Sequence, residues 1–160
     1  MKDRKIPLHA RRALAEGNII KANSLLRNVY SLRGIVVRGQ QLGRTLGYPT
    51  ANLKLHEQTP LFLANGVYAV NVTMEGRSFK GMANIGIRPT FDNHVLTVEV
   101  NIFDFDGNLY DQELIVHFID RVRDEKKFGT LEELKEQIAR DKVQITEILT
   151  PRMHPDPNTK

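Results

Sequence analysis

The sequence predicts a mainly β fold, an antiparallel sheet closed into a small barrel, with a short helical extension before it and one helix after it. Three observations carry this. From residue 32 to about residue 122, glycines, β-branched residues and turn signals replace helical periodicity. The apolar runs in that stretch are short and follow one another with no helical pattern between them, as consecutive antiparallel strands do. After residue 129 the pattern changes again, to a capped amphipathic helix of the kind that covers one open side or end of a sheet.

Taken in order, residues 9–27 read as two short helices. Gly17 stands where a helix C′ glycine is expected, Asn18 can cap the second helix, and Ile19, Ala22, Leu25 and Leu26 recur at helical spacing. Strands are expected near 33–38, 66–74, 79–87, 95–103 and 113–122. Glu75-Gly76 predicts a tight turn between the second and third of these, and Asp106-Gly107 predicts a hairpin between the last two. Thr130 and Glu133 form a capping box, and Leu131, Leu134, Ile138, Ile145 and Leu149 trace the apolar stripe of the final helix. The tail TPRMHPDPNTK, with three prolines among polar residues, predicts disorder. The resulting division is a helical extension over 1–30, a barrel with its C-terminal helix over 31–150, and a tail over 151–160.

Composition narrows the function classes. The chain has 160 residues, enough to bury a core without staples. It contains no cysteine, which excludes disulfide scaffolds, zinc–thiolate sites, iron–sulfur clusters and cysteine nucleophiles. No apolar run approaches the roughly 18 residues of a membrane span, and the N-terminus lacks a signal-peptide core, so the expectation is a soluble, cytoplasmic protein with no membrane partner. The net charge of +4 invites a nucleic-acid reading. However, residues 1–30 hold seven basic and two acidic side chains, leaving −1 for the remaining 130 residues. A basic groove tracking a phosphate backbone is not expected in the body, and no nucleic-acid partner is assigned.

Three segments can carry chemistry. Gly34, Gly39, Gly43 and Gly47 fall within fourteen residues, with Arg44 among them. Glycine lets backbone N–H groups approach an anion closely, so the segment reads either as a phosphate-binding loop or as a flexible one. It is not a P-loop: the glycines of GQQLGRT are one residue too close, arginine replaces lysine, and no helical pattern follows. Next, Pro49 biases Tyr48 toward extended backbone, which would put Thr50 and Asn52 on one face as paired oxygen donors suited to Mg²⁺. The alternative is a turn in which the two satisfy local backbone groups. In the strand VLTVEVNIF, Val98, Val100 and Ile102 take one face and Thr97, Glu99 and Asn101 the other, so Glu99 is either a solvated strand carboxylate or a general base facing a cleft. The five histidines show no metal-ligand spacing.

The ordered segments GIVVRGQQLGRTLGYPTAN, NIGIRPTF, VEV, FDFDGNLY and RDEKKFGTLEELKEQI together resemble the riboflavin kinase module, over about Ser31 to Leu149. In bacteria that module usually forms the C-terminal half of a bifunctional riboflavin kinase/FMN adenylyltransferase. The resemblance implies a six-stranded antiparallel closed barrel and ATP-dependent conversion of riboflavin to FMN, with ADP as the other product. It implies Thr50 and Asn52 as ligands of Mg²⁺ and nucleotide phosphate, and Gly39, Gly43, Arg44 and Gly47 as a flap over ATP. It also implies Glu99 as the catalytic base, with Arg123 and Phe128 as flavin contacts. Asp111 departs from the family pattern, where glycine is expected. Residues 1–30 cannot supply an adenylyltransferase half but resemble the helical segment that joins the halves. An N-terminal FMN adenylyltransferase domain is therefore expected in the full-length protein. The alternative function class is a non-catalytic barrel that binds nucleotide, flavin or RNA, which would need neither a base nor an oxygen pair for a metal.

Overall fold

The computed structural model of the chain describes residues 6–37, 50–56, 63–89 and 94–150. Six strands close into an antiparallel barrel: β1 (Ser31–Val37), β2 (Ala51–Leu55), β3 (Gly66–Met74), β4 (Arg77–Pro89), β5 (His94–Ile102) and β6 (Glu113–Arg123), in the spatial order β1-β2-β5-β4-β3-β6. Pairing of Ser31 with His117 through Ile35 with Glu113 seals β1 to β6 and leaves no open edge. Strand β2 is absent from the pattern reading of the sequence, although Ala51, Leu53 and Leu55 alternate with Asn52 and Lys54. Asn52 lies in this strand, and Thr50, expected on the same face, immediately precedes it.

Alternation sets which side chains fill the barrel. Leu32 and Val36 of β1, Val98, Val100 and Ile102 of β5, and Leu114, Val116 and Phe118 of β6 point inward and are buried. On β3 the residues Gly66–Val70 are buried on both faces, because a helix lies over its outer side. That helix, α3 (Leu131–Leu149), begins with the expected cap: Glu133 N–H donates to Thr130 Oγ1 at 3.1 Å. The Glu133 carboxylate reaches back one residue further than a capping box requires, accepting from Gly129 N–H at 3.1 Å. Ile145, fully buried, packs with Val67, Ala69 and Phe103 in a second cluster outside the barrel. Burying such a side chain stabilises by about 1.5–3 kcal/mol.

The N-terminal helices α1 (Leu8–Ala15) and α2 (Ile19–Leu26) share the barrel's core through Leu14, Ile19 and Ala22. Gly17, at φ 79°, ends α1, with Asn18 N–H donating to Ala13 O and Gly17 N–H to Leu14 O, the two bonds of a Schellman motif. The Asn18 side chain then accepts from Lys21 N–H and starts α2. Asn23 ties the pair to β6 by donating to Phe118 O at 2.8 Å.

Two turn expectations had different outcomes. Glu75 (φ 50°) and Gly76 (φ 76°) form the β3–β4 hairpin. Asp106-Gly107 does not make a hairpin: β5 pairs with β2 and β4, and β6 with β1 and β3. The 103–112 segment instead carries the chain between strands that are not neighbours. A two-residue turn signal is local and cannot report which strands the barrel brings together. Asp111 sits at φ 66° in this connection, a conformation that glycine adopts freely and aspartate tolerates.

Candidate active site

Strand register assembles the site. Asn52 of β2 is directly opposite Glu99 of β5, and Glu99 is directly opposite Asn84 of β4. Asn84 in turn faces Val67 of β3, and Val67 faces Arg123 of β6. Directly opposed residues project to the same side of an antiparallel sheet. The five therefore form one transverse row on the barrel's outer face, and α3 packs over its β4, β3 and β6 part. Residues flanking them in sequence (Ala51, Val98, Val100, Ala83, Ile85) point into the core, which fixes the row outward by the two-residue period of a strand.

A cavity of about 590 Å³ lies over the Glu99, Asn84, Val67 and Arg123 part of this row. Its polar end is made by Thr50, Asn84, Glu99 and Asn101, its floor by Val67 and Met82, and its far wall by Phe128, Leu134 and Ile138. A second cavity, of about 490 Å³, lies beside Ala51 and is rimmed by the 105–110 segment. Thr50 lines both. Two small-molecule compartments, each within the usual range of about 300–1,000 Å³, thus meet at one hydroxyl beside the carboxylate.

The apolar end is held by ion pairs. Arg123 Nε donates to Asp141 Oδ1 at 2.9 Å and Oδ2 at 3.1 Å, and its Nη2 to Oδ2 at 2.7 Å. Asp141 is 1% exposed and also accepts from Gln137 Nε2 at 2.9 Å. The remaining arm, Nη1, donates to Asp124 O at 3.0 Å, and the guanidinium lies 5.9 Å from the Phe128 ring centre. Arg123 is thereby a neutralised brace that fixes the 124–128 loop. The same loop is tied on its other side, where Arg121 Nη2 donates to Asp124 Oδ1 at 2.6 Å and to Asn65 O. At Gly86 an added Cβ would stand 2.6 Å from Glu125 Oε1, so the absence of a side chain there lets the loop settle on β4.

Of the residues singled out in the sequence, Thr50, Asn52 and Glu99 come together, and Arg123 and Phe128 form the opposite end of the same cavity. Gly39, Gly43, Arg44 and Gly47 lie outside the described residues. Gly34 belongs to β1, where it lets the chain approach Lys54 O of β2. Sequence reasoning missed Asn84 and Asp141. A signal existed for each. Asn84 interrupts an apolar strand on the Met82–Gly86 face, and Asp141 falls in the apolar stripe of α3 between Ile138 and Ile145. A charge in such a stripe calls for a buried partner.

The donors Thr50 and Asn52, with Glu99 opposite, are all hard oxygens, which suits Mg²⁺. Among the described residues no three acidic, histidine or cysteine side chains gather as a metal cage. A cation here would complete its shell with substrate oxygens.

Comparison with known proteins gives a consistent result. The family model for flavokinase, riboflavin kinase, matches residues 26–149. The bifunctional riboflavin kinase/FMN adenylyltransferase of Haemophilus influenzae is 44% identical over 133 residues, covering 82% of this chain and 42% of the relative. Among solved structures, a macrolide-efflux protein from Streptococcus pneumoniae aligns with a TM-score of 0.83 and 38% identity, covering 91% of this chain and 49% of that one. Riboflavin kinase from Trypanosoma brucei aligns with a TM-score of 0.55 and 26% identity, covering 74% and 78%. The chain spans less than half the length of the bifunctional relatives it matches, 42% to 46%.

Proposed function

The chain belongs to the riboflavin kinase family, and from that premise we propose that it transfers the γ-phosphoryl group of ATP to the ribityl 5′-hydroxyl of riboflavin, giving FMN and ADP. The observation that carries this reading is the register Asn52–Glu99–Asn84, with Thr50 at the junction of two cavities. Riboflavin occupies the larger one, its ring system against Val67, Met82, Phe128, Leu134 and Ile138 and its ribityl chain toward Glu99. ATP occupies the smaller one, with its phosphates toward Thr50.

Phosphoryl transfer asks a protein chiefly for positioning and charge compensation. Glu99 accepts the proton of the 5′-hydroxyl on a carboxylate oxygen as the hydroxyl oxygen bonds to the γ-phosphorus and the bond to the β-phosphate oxygen breaks. Thr50 and Asn52 would hold Mg²⁺, which when bound supplies positive charge to the phosphate oxygens. The backbone of the Gly39–Gly47 segment and Arg44 would add N–H donors and a cation over the nucleotide. Phe128, braced by Arg123 and Asp141, closes the flavin end and excludes water from it.

The unit that performs this is residues 31–150, with 1–30 as its helical extension and 151–160 as a tail. Because the relatives are bifunctional, an N-terminal FMN adenylyltransferase domain in the full-length, cytoplasmic protein is part of the proposal. A purely binding barrel for nucleotide, flavin or RNA would need no carboxylate opposite the oxygen pair. The efflux activity in the name of the Streptococcus protein is not carried over: this chain covers 49% of that one. Incubation with riboflavin, ATP and Mg²⁺ should yield FMN and ADP, and chelation should stop it. If no FMN forms, the proposal is wrong.

A further inference from the structure

Asn84 is the one polar member of the transverse row that the proposed chemistry leaves unused. Its Oδ1 is buried and has no hydrogen-bond partner among the described residues. A buried acceptor left unmade is costly to a folded chain, and where one persists it calls for a partner that arrives from outside. Among the described residues two other buried side-chain atoms are in the same state, Tyr30 Oη and Arg121 Nε, but neither residue lines the larger cavity, whereas Asn84 does.

The surroundings restrict the partner. A carbonyl oxygen only accepts, so the ligand group must donate. Asn84 lies between Glu99 and Val67 in the row, and directly opposed side chains have Cβ atoms about 4.5–5.5 Å apart. A donor reaching Asn84 is therefore a near neighbour of whatever group reaches Glu99. A polyol chain meets that condition, since it carries successive O–H donors at short intervals, while the apolar Val67 beyond offers nothing to a further hydroxyl.

We infer that Asn84 is a specificity-determining residue: its Oδ1 accepts a hydrogen bond from a secondary hydroxyl of the ribityl chain, one or two carbons from the hydroxyl that reacts at Glu99. This rests on the riboflavin kinase reading, which lays the ribityl chain along Asn84 and Glu99. The site then demands a polyol and not merely a primary alcohol attached to a flat ring.

The test compares riboflavin with its 4′-deoxy and 3′-deoxy analogues as phosphoryl acceptors. The intact chain should prefer riboflavin over one analogue by about 10- to 100-fold in kcat/KM, because that analogue leaves the acceptor orphaned. Asn84→Leu, which keeps the branching and number of side-chain heavy atoms and removes the acceptor, should lower kcat/KM for riboflavin to the level of that analogue without lowering the analogue's own value. A structural role alone would lower all three substrates alike, and that result would overturn the inference. So would an intact chain that phosphorylates all three equally, which needs no variant to fold. Absence of FMN from riboflavin itself overturns the kinase reading and this inference together. FMN formation without discrimination overturns the inference alone.

Discussion

Replacing Asp141 by asparagine should separate the brace of the flavin cavity from its chemistry. Asp141 is 1% exposed and takes three contacts from Arg123 and one from Gln137. Asparagine keeps the shape and one acceptor oxygen but removes the charge, and so leaves the Arg123 guanidinium uncompensated. Breaking a buried pair on one side costs about 3–5 kcal/mol. Arg123 retains 21% exposure of its side chain, so part of its charge can turn to water and the lower end, about 3 kcal/mol, applies. For a chain of this size that is about 6–12 °C in Tm, read by urea and thermal unfolding. The kinetic signature is one-sided. Arg123 and Phe128 line the larger cavity and not the smaller, so KM for riboflavin should rise about tenfold while KM for ATP stays within about twofold. The pair Arg123→Met with Asp141→Leu should recover most of the stability, since apolar residues can replace a buried ion pair, but not the riboflavin KM. A Tm within about 1 °C of the parent, or equal rises in both KM values, would refute the reasoning.

Glu99→Gln should lower kcat by about 10²–10⁴-fold with ATP affinity held within about twofold in a calorimetric titration, and normal turnover would remove the base assignment. Gly86→Val should push Glu125 off β4, raising KM for riboflavin with a stability loss of about 1–3 kcal/mol, because the clash at 2.6 Å is with the end of a flexible side chain but Thr97 Oγ1, at 3.1 Å, must also give way. An unchanged KM would show that the loop is not seated by Gly86. His117, whose ring nitrogens meet Ser31 Oγ at 2.7 Å and Thr73 Oγ1 at 2.9 Å, is pushed by burial below its ordinary pKa of 6.5. Between its folded pKa and 6.5 the unfolded chain binds more protons, so its contribution to stability is complete above pH 6.5 and is lost as pH falls through that window. Urea melts should therefore show a smaller loss on acidification for His117→Gln than for the parent, and equal losses would contradict the assignment.

Much of the fold was legible because its causes are local. The Gly17–Asn18 junction, the Glu75-Gly76 hairpin and the Thr130 cap each depend on a few adjacent residues, and each formed as the sequence reads. Alternation in VLTVEVNIF likewise placed Glu99 outward and Val98 and Val100 inward. The resemblance of the ordered motifs pointed to residue types for a base and a metal. The sequence by itself thus determined the helices, five of the six strands, the two faces of the Val95–Phe103 strand and part of the site's residues, without Asn84 and Asp141. Only the tertiary structure decided which of these residues meet. The order β1-β2-β5-β4-β3-β6 is not the order of the chain, so the opposition of Asn52 to Glu99, and the failure of Asp106-Gly107 to make a hairpin, follow from barrel closure. The Arg123–Asp141 brace joins residues 18 apart through a helix folded back on the sheet. Strand pairing and buried charge pairing are settled by what becomes adjacent on closure. A side chain's period along its own strand says which way it points and not what it faces.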